Sequence, residues 1–378
     1  MEHTPLRVAI VGTGMIGAVH RRAARDAGAD VVGVLGSSPS RSADFAERWG
    51  TASAYGSFEQ VLADRPDVVQ ICTPNGSHHD YALRAIRAGL NVVCEKPLAI
   101  TASEALELVE AVEAAGVVAT IPFAYRYHPL VRELRARRIA GEFGDIHLVH
   151  GSYLQDWLLD PLASSWRVDA ALGGPSRAFA DVGSHWCDLA EFISGERFTA
   201  VSAVTTIAYP TRPAPSGPSF GGAGSSADAP RLEVTTEDTA TATFRTASGG
   251  VGNTVISQVS AGRKNRLWVE VDGSRGSAVF DQEAPETVWL GHDRGSTILN
   301  RGEGDVSSDQ ARLNLVPAGH PMGYRDAFSA FLADTYAAVR GEAPDGLPTF
   351  ADGLRAARII DAVLESASSS SWVDIQED

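Results

Sequence analysis

The sequence predicts an α/β protein in which a parallel sheet covered by helices is followed by a region built largely on an antiparallel sheet. Two observations carry this prediction. In the first third of the chain, short apolar runs rich in Val and Ile alternate with stretches of helical periodicity, which indicates right-handed βαβ units. Beyond about residue 123, alternating runs with many Thr and Val are separated by Gly-rich turns, which is typical of antiparallel strands.

The predicted elements follow these runs in order. Strands are expected at 6–11, 31–35, 68–72, 91–94 and 117–121, with helices at 14–27, 40–49, 76–88 and 101–115 between them. A helix at 128–139 leads into strands at 145–153, 199–208, 232–246, 250–260, 266–272 and 276–280, and helices at 322–340 and 350–367 close the chain. Pro, Gly and Ser dominate residues 209–230, which predicts a long mobile loop.

Composition excludes several classes of function. The chain has 378 residues, enough for two domains, and its formal net charge of −15 disfavours binding to a nucleic-acid backbone. It has no run of about 18 apolar residues, as a membrane-spanning helix needs, and its N-terminus lacks the pattern of a secretion signal. We therefore expect a cytoplasmic protein that acts on a small molecule and has no nucleic-acid or membrane partner.

The three cysteines, Cys72, Cys94 and Cys187, are expected to be reduced and buried. Their number is odd and no CxxC spacing occurs, so neither a disulfide framework nor a zinc site is indicated. Cys72 and Cys94 each end an apolar run, where small side chains pack well.

The segment GTGMIG links the first predicted strand to the first predicted helix and indicates a dinucleotide site. Gly12 permits the tight turn, Gly14 lets the backbone approach the diphosphate, and Gly17 allows the helix to pack closely on the strand. The helix N-terminus, which begins with Met15 and Ile16, offers free N–H groups and a positive dipole to the phosphates. Because a strand precedes the motif and a helix follows it, we interpret the motif as a cofactor site.

The end of the second strand bears on the choice between NAD and NADP. NAD enzymes usually carry an acidic residue there, but the expected position, about Gly36, has none. Ser37, Ser38 and Arg41 are placed to bind a 2′-phosphate, which favours NADP over NAD. In the alternative interpretation, Ser40 caps the next helix and Arg41 is only solvated.

Polar residues also follow the strand at 68–72. Thr73, Pro74 and Asn75 are expected at the carboxyl edge of the sheet, beside the nicotinamide half of the cofactor. The adjacent residues His78–Asp80 include two histidines and an aspartate, but neighbouring residues of a helix point apart and a third convergent ligand is missing. We therefore predict no metal site and expect these residues to serve capping and packing.

The segment CEKPLA follows the strand at 91–94 and contains Lys96 between Glu95 and Pro97. A proline disfavours helical backbone at the residue before it, so the chain is expected to stay extended at Lys96. The lysine side chain can then point into the crevice at the carboxyl ends of the strands. A solvated lysine at the edge of a turn is the competing interpretation.

A second polar group lies far downstream, in DVGSHWCDLAEFISG. Helical spacing extends over about 176–193, and Gly195 is placed to end the helix. Asp181 and His185 are four residues apart, and Asp188 follows three residues later, so the three are expected on one face. A histidine flanked by carboxylates is a suitable proton acceptor. An exposed polar helix face is the alternative.

Together these motifs resemble the glucose-fructose oxidoreductase / inositol dehydrogenase (Gfo/Idh/MocA) family. The matching segments are, in order, GTGMIG, TPNGSHH, AGLNVVCEKPLA, FAYRYHPLVRELR, DVGSHWCDL and PTFADGLRAARIIDAVLESA, and they span nearly the whole chain. The resemblance implies a Rossmann dinucleotide-binding domain at 1–123. It also implies a substrate-binding and oligomerisation α/β domain at 124–378 with a large open, mostly antiparallel sheet. A homo-oligomer, either a dimer or a tetramer, is expected because an open sheet face needs cover.

The resemblance further implies an NAD(P)-dependent oxidoreductase that transfers hydride between a secondary alcohol or ketone of a sugar or cyclitol and the nicotinamide. It implies that His185 accepts the hydroxyl proton, Lys96 hydrogen-bonds the developing oxyanion and Asp181 orients the pair. Additional cofactor contacts are expected from His78, Glu95, Lys96, Pro97, Arg126, Trp166 and Arg167. Substrate contacts are expected from Lys96, Tyr125, Tyr153, Gln155, Asp156, Trp157, Arg167, Asp181, His185, His320 and Tyr324.

Two other functions stay open on the sequence. Some relatives in the family keep NAD bound and modify glycosides without net redox change, and a nucleotide-sensing regulatory protein would keep the cofactor site but lose catalysis. Regulatory relatives tend to lose the lysine or the histidine, and both are present here. The chain departs from the family at LGGPSRAFAD, where Pro175 interrupts the three glycines that often precede the aspartate.

Overall fold

In the computed structural model, residues 4–214 and 229–377 are described, and the chain divides into two compact units. The first unit consists of Met1–Ala124 and Arg325–Leu354, and the second of Tyr125–Tyr324 and Arg355–Asp378. The sequence indicates a change of pattern near residue 123 but carries no signal that a much later segment folds with the parallel sheet.

The first unit begins with alternating strands and helices. Their bounds are β1 (Arg7–Val11), α1 (Met15–Asp26), β2 (Asp30–Leu35), α2 (Pro39–Trp49), β3 (Ser53–Tyr55), α3 (Phe58–Asp64), β4 (Val68–Ile71), α4 (His78–Arg87), β5 (Asn91–Cys94), α5 (Ala102–Ala115) and β6 (Ala119–Thr120). Nearly every residue of β1, β2, β4 and β5 is buried, as strands covered on both faces must be.

Within the described chain these strands form a six-stranded parallel sheet in the order β3-β2-β1-β4-β5-β6. The strand order reverses between β1 and β4, so their carboxyl ends open a crevice at this switch point. Gly12 follows β1 and Thr73 lies just beyond β4, so both belong to the rim of the crevice. The predicted Rossmann architecture is confirmed.

The remaining elements follow in chain order. They are α6 (Pro129–Ile139), β7 (Ile146–Leu154), α7 (Ala170–Gly173), α8 (Ser184–Ser194), β8 (Phe198–Thr206), β9 (Thr211–Pro213), β10 (Arg231–Glu233), β11 (Thr239–Thr246), β12 (Val251–Ser257), β13 (Arg266–Gly273), β14 (Ser277–Asp281), β15 (Thr287–His292), β16 (Gly295–Asn300), α9 (Ser308–Leu313), α10 (Tyr324–Val339), α11 (Phe350–Ser369) and β17 (Val373–Asp374). Apart from Tyr324, α10 belongs to the first unit, and α11 changes unit after Leu354.

The second unit is built on a nine-stranded sheet, counted over the described residues, in the order β16-β15-β14-β13-β7-β12-β11-β8-β17. Strands β7 and β12 run parallel and the other neighbours run antiparallel, which confirms the predicted mostly antiparallel sheet. One face packs against α6, α8 and α11 through residues such as Leu134, Trp186 and Val363. On the alternate positions, Val204, Val251 and Val255 are exposed.

Several elements of the structure were not predicted from the sequence, among them β3, α3, α9, β15 and β16. β3 has three residues at the edge of the parallel sheet, and β16 is exposed along almost its whole length, so no apolar alternation marks either strand. The predicted loop at 209–230 falls mostly on 215–228, which lie outside the described residues. At its two ends, β9 and β10 pair as an antiparallel ribbon.

Smaller sequence predictions hold. All three cysteines are unbonded and buried, as expected. Gly195 ends α8 with a left-handed φ of 74°, the conformation that favours glycine at this position. Across the described ranges, 4–214 and 229–377, no helix combines the length and the apolar character that crossing a bilayer requires.

His128 is a buried histidine at the N-terminus of α6. Its Nδ1 atom accepts a hydrogen bond from the backbone N–H of Leu130 at 3.3 Å, so a proton on Nδ1 would break this cap. Burial lowers the pKa of His128 to about 4, with Glu286 opposing the shift and Arg301 assisting it. The folded chain therefore holds this imidazole neutral in mildly acidic solution.

We expect the free energy of unfolding to fall as the pH drops from 6.5 towards about 4. In this range His128 is protonated in the unfolded chain but stays neutral in the folded chain. The full effect is about 3 kcal/mol. Urea unfolding of the wild type and His128→Asn over this pH range measures it. Asparagine can still accept the cap hydrogen bond but does not titrate, so its stability should depend less on pH. Equal pH dependence in the two proteins would contradict the prediction.

Candidate active site

Two of the three motif glycines are required by the packing of the chain itself. Gly12 has a φ of +118°, and a Cβ atom there would lie 2.4 Å from the carbonyl oxygen of Cys72. A Cβ atom on Gly17 would lie 2.3 Å from the carbonyl oxygen of Gly12. Glycine at these positions therefore lets β1, β4 and α1 meet closely at the switch point.

Gly14 is different, because nothing in the described part of the chain requires a glycine there. Its φ of −75° and ψ of −173° suit any residue, and no described heavy atom lies within 4 Å of a Cβ atom built on it. A bare backbone at this point leaves room for a group from outside the chain. It sits at the N-terminus of α1, where N–H groups and the helix dipole attract anions, so these residues fit the diphosphate of a dinucleotide.

At the end of β2 the structure has no acidic residue, and an arginine lies against the glycine loop. Arg41 donates from Nε to the hydroxyl of Thr13 at 2.7 Å, which anchors its guanidinium beside the loop. Ser38 caps α2 by accepting from the backbone N–H of Arg41, so the cap is Ser38 rather than Ser40. Ser37 is exposed next to them.

His78 joins the loop after β4 to the loop after β5. Its Nδ1 lies 2.8 Å from the carbonyl oxygen of Pro97, and its Nε2 lies 2.8 Å from the carbonyl oxygen of Thr73. Burial lowers the pKa of His78, although the two carbonyl groups act in the opposite direction. Pro74 and Asn75 lie between these contacts, at the start of the short 3₁₀ turn Asn75–Ser77. His78 therefore fixes the spacing of two loops that border the crevice.

The neighbours of His78 have surface partners. His79 pairs with Glu107 at 2.9 Å, and Asp80 pairs with Arg84 at 3.1 Å along α4. A different group in the second unit, made of His150, Glu270 and Asp272, brings its ligand atoms within 4.8 Å of one another. His150 lies 3.5 Å from each of the two carboxylates, so these side chains form ion pairs when the histidine is protonated.

Lys96 is half-buried at the carboxyl end of β5, and its peptide bond to Pro97 is cis. The Lys96 backbone N–H donates to Oε2 of Glu95 at 3.1 Å. The buried Glu95 carboxylate also lies 3.0 Å from Nε2 of His20, a residue of α1 that the sequence analysis missed. Gln70, another missed residue, is signalled by a polar side chain within an otherwise apolar strand.

In the second unit, Asp181 and His185 lie on one helical segment that begins as a π-helix, Phe179–Gly183, and continues as α8. The expectation of a regular helix over about 176–193 is therefore wrong at its start. A Cβ atom on Gly183 would lie 2.8 Å from the Phe179 ring, so glycine allows the wide turn. Such π turns occur frequently at functional sites.

Glu237 holds the start of this segment. Its Oε1 accepts hydrogen bonds from the Ser176 hydroxyl at 2.7 Å and from the backbone N–H groups of Arg177 and Phe179 at 3.0 and 2.8 Å. Burial raises the pKa of Glu237, while these hydrogen bonds favour its charged form. The carboxyl group thus fixes the turn that carries Asp181, and the sequence offered no signal for it.

Asp181 is held from both sides. Its Oδ2 accepts from the side-chain amide of Gln258 at 2.8 Å, and its Oδ1 lies 3.6 Å from Nε of Arg167. The Arg167 guanidinium stacks 4.4 Å from the centre of the Trp166 ring. The structure therefore brings together three of the predicted residues, Trp166, Arg167 and Asp181.

A closed ring of hydrogen bonds lies beside His185. Tyr153 donates to Oδ1 of Asn265 at 2.7 Å, and Asn265 donates from Nδ2 to the Tyr125 hydroxyl at 3.0 Å. The two tyrosine oxygens are 2.7 Å apart, so Tyr125 donates its proton to Tyr153 and completes the ring. Burial raises the pKa of both tyrosines, which therefore stay protonated.

The tyrosine rings contact the predicted base. The His185 ring, 8% exposed, lies 5.2 Å from the ring of Tyr125 in an edge-to-face arrangement and 6.3 Å from that of Tyr153. The Tyr324 ring lies 6.0 Å from the ring of Tyr125. Asn265, the third member of the ring, was missed by the sequence analysis because a single amide at a strand start carries no pattern.

Two predicted substrate residues, Gln155 and Trp157, are linked to this ring by hydrogen bonds, and Asp156 lies between them in the chain. Gln155 donates to Oδ1 of Asn265 at 2.9 Å and accepts from the Trp157 indole N–H at 3.0 Å. Asp156 bonds the ammonium of Lys264 at 2.7 Å, and this contact lowers the pKa of Asp156. All three side chains keep part of their surface exposed.

Two other predicted residues of the second unit, Arg126 and His320, make contacts outside the tyrosine ring and the group around Asp181. Arg126 donates from Nε to both carboxylate oxygens of Asp188, at 3.1 and 2.9 Å, so this carboxylate serves an ion pair with Arg126. His320 is exposed and lies 3.3 Å from the carbonyl oxygen of Pro317. The carbonyl oxygen of His320 accepts from Arg301 at 2.6 Å.

Two family models match the chain. Residues 6–123 match the model described as "Oxidoreductase family, NAD-binding Rossmann fold" (GFO_IDH_MocA), and residues 131–279 match the "GFO/IDH/MocA C-terminal domain". Together the two matches cover most of the chain, including the glycine loop, CEKPLA and the segment that carries Asp181 and His185.

Individual relatives extend over nearly the whole chain. The levoglucosan dehydrogenase of Pseudarthrobacter phenanthrenivorans is 33% identical over 348 residues, 90% of this chain and 88% of that protein. A solved levoglucosan dehydrogenase in complex with NADH and L-sorbose is similar with a TM-score of 0.89 at 30% identity, covering 98% of this chain and 99% of that one. An inositol dehydrogenase homologue from Azotobacter vinelandii, solved with NADH and myo-inositol, gives 0.84 at 27% identity, with 98% of each chain covered.

We expect Gly14→Ala to separate folding from cofactor binding. The added methyl group meets no described atom within 4 Å, so the free energy of unfolding should change by less than about 0.5 kcal/mol. A diphosphate on this surface would meet the methyl group, so the dissociation constant of the dinucleotide should rise about tenfold or more. Fluorescence titration and urea unfolding measure the two effects.

Gly12→Ala is the contrasting variant, because its Cβ atom would lie 2.4 Å from the Cys72 carbonyl oxygen and should destabilise the fold. Wild-type cofactor affinity in Gly14→Ala would contradict the placement of the diphosphate.

Proposed function

Because the chain belongs to the Gfo/Idh/MocA family of oxidoreductases, we propose that it is a nicotinamide-dependent dehydrogenase acting on a secondary alcohol or ketone of a sugar or cyclitol. The bound nicotinamide supplies the hydride chemistry. The similarity to proteins named as levoglucosan and inositol dehydrogenases supports this substrate class. The single observation that carries the proposal is that the buried His185 lies beside two tyrosines whose hydroxyl protons are used in hydrogen bonds within the ring.

The proton of the substrate hydroxyl passes to His185 in this proposal. A histidine titrates near neutral pH, whereas Tyr125 and Tyr153 keep their protons because burial raises the pKa of each. The hydroxyl protons of both tyrosines are donated within the hydrogen-bonded ring, so each hydroxyl can offer a ligand only an oxygen lone pair. His185 is therefore the side chain of this group that is suited to accept a proton at neutral pH.

Asp181 and Lys96 complete the proposed chemistry. Asp181, fixed by Gln258 and Arg167, orients the imidazole and stabilises its charged form. The Lys96 ammonium donates a hydrogen bond to the substrate oxygen and lowers the energy of the negative charge that develops there. In this proposal the lysine stabilises the substrate oxygen and the histidine accepts the proton of the same hydroxyl group.

Recognition of the polyol would come from Gln155 and Trp157, which are linked by hydrogen bonds to the tyrosine ring, and from Asp156 between them in the chain. The Trp157 ring is held by its hydrogen bond to Gln155, so it can present a face to the C–H surface of a sugar. Amide and carboxylate groups bind sugar hydroxyls. His320 is proposed as a more peripheral contact, because it is exposed.

The proposed roles are tested by Lys96→Met and His185→Ala. A panel of sugars, cyclitols and their keto forms is screened with NAD and NADP by the absorbance of the reduced nicotinamide. On the best substrate, each variant should lose roughly 10²-fold or more in kcat. His79→Ala, which removes a surface histidine paired with Glu107, is the control and should keep wild-type turnover. Turnover within twofold of wild type in both active-site variants would refute the roles.

For the cofactor, we propose a preference for NADP. No carboxylate lies at the end of β2 to repel a 2′-phosphate, and the Arg41 guanidinium is anchored on Thr13 beside the glycine loop. The Ser38 hydroxyl accepts from the backbone N–H of Arg41, and the exposed Ser37 precedes Ser38 in the chain. The structures of relatives described above contain NADH, so this preference would distinguish the present chain from them.

Arg41→Ala tests the cofactor preference. A hydrogen bond to a charged group contributes about 1.5–3 kcal/mol, so removing this partner of the 2′-phosphate should lower kcat/KM with NADP about tenfold or more. The value of kcat/KM with NAD should stay within twofold of wild type. The ratio of the two kcat/KM values in wild type and variant gives the answer. A wild type that prefers NAD, with a ratio that Arg41→Ala leaves unchanged, would overturn the proposal.

We also propose that the chain forms a homo-oligomer, a dimer or a tetramer. Support comes from the face of the nine-stranded sheet that exposes Val204, Val251 and Val255, because apolar sheet surface of this kind is stabilised by cover.

A further inference from the structure

A chain of buried hydrogen bonds runs through the first unit and ends at the backbone of Lys96. Tyr336, on α10, accepts from the side-chain amide of Gln70 at 2.7 Å, and Oε1 of Gln70 lies 3.0 Å from Nδ1 of His20. Nε2 of His20 lies 3.0 Å from Oε1 of Glu95, and Oε2 of Glu95 accepts the N–H of Lys96 at 3.1 Å. One sequence of contacts therefore crosses α10, β4, α1 and the end of β5.

Every side chain in this series of hydrogen bonds, from Tyr336 to Glu95, is buried. Tyr336, Gln70 and His20 are 0% exposed, and Glu95 is 6% exposed. A carboxylate at such a position is costly unless it has a hydrogen-bonding or charged partner. His20 supplies that partner on one oxygen, and the peptide N–H of Lys96 supplies a donor on the other.

The imidazole of His20 is fixed on two further sides. Gln70 engages Nδ1, and the ring of Phe328 meets the imidazole edge-to-face at 4.8 Å. Because neither ring nitrogen faces solvent, His20 has no role as an acid or base towards the outside. Its geometry instead directs one nitrogen at Glu95, the residue immediately before the lysine.

We propose that His20 is a positioning residue for Lys96, and this inference rests on the proposed role of Lys96 in catalysis. By pairing with Oε1 of Glu95, His20 keeps this carboxylate turned onto the Lys96 peptide, which sets the direction from which the ammonium extends. Without His20, the buried Glu95 charge needs another partner, and the ammonium of the next residue is the adjacent cation. Lys96 would then be drawn away from the substrate oxygen.

The proposal predicts a specific pattern in His20→Leu. Its kcat should fall about tenfold or more. The dissociation constant of the dinucleotide should change much less than kcat, because the glycine loop that would hold the diphosphate is not altered. The conservative variant His20→Gln, which retains a donor towards Glu95, should recover part of kcat.

The double variant His20→Leu/Glu95→Gln separates positioning from a merely structural role. Neutralising Glu95 removes the charge that captures Lys96, so kcat of the double variant should exceed that of His20→Leu and approach that of Glu95→Gln alone. Thr335→Val is the matched control for loss of a buried polar contact, because it breaks the Thr120–Thr335 hydroxyl pair of the same unit. It should lower stability and leave kcat within twofold.

The possible results are distinguishable. Wild-type kcat in His20→Leu, together with a large loss in Lys96→Met, would overturn the positioning role and leave the proposed function standing. A double variant no faster than His20→Leu would likewise overturn it, as would a loss of kcat in Thr335→Val equal to that in His20→Leu. Full activity in Lys96→Met would overturn the proposed function itself.

Discussion

The close approach of the Gly12 backbone to the carbonyl group of Cys72 is the constraint on which the first unit depends. A side chain at Gly12 would occupy the space in which the ends of β1 and β4 meet. The same turn brings Gly17 against Gly12 and so fixes the start of α1. One helix thereby offers its N-terminus to a diphosphate and, about one and a half turns further along, directs His20 at Glu95.

In the second unit the corresponding constraint is the pairing of buried polar groups around the π-helix. Arg212 and Asp238 are 0% exposed and Arg177 is 2% exposed. Burial alone would raise the pKa of Asp238, but the two arginines outweigh it and lower the pKa. Glu237, next to Asp238, holds the first N–H groups of the segment that carries Asp181. Such groups tolerate burial only when each is paired, so they fix one backbone path.

The tyrosine ring illustrates how hydrogen-bond closure restricts chemistry. Tyr125, Tyr153 and Asn265 each donate to the next member, so the direction of each hydroxyl proton is decided by geometry. A phenol hydroxyl elsewhere can serve as donor or acceptor, whereas these two present lone pairs only. The division of roles between tyrosines and histidine in the proposed mechanism follows from this closure.

The sequence by itself determined the features that depend on local pattern. Short apolar runs determined the parallel strands, the spacing of Gly12, Gly14 and Gly17 determined the dinucleotide loop, and alternation determined most of the antiparallel sheet. These predictions succeed because burial of apolar residues and backbone sterics act between residues close in the chain. β3 and β16 were missed because neither has enough buried residues to show a period.

Tertiary structure decided which polar groups meet. His20 and Glu95 are separated by 75 residues, Asp181 and Gln258 by 77, and Tyr125 and Asn265 by 140, so no local pattern records these contacts. The return of Arg325–Leu354 to the first unit, which brings Tyr336 to Gln70, is equally absent from the sequence pattern. A hydrogen bond depends on the positions of two atoms and not on their separation along the chain, so the partners of buried polar residues emerge only when the sheets and helices have packed.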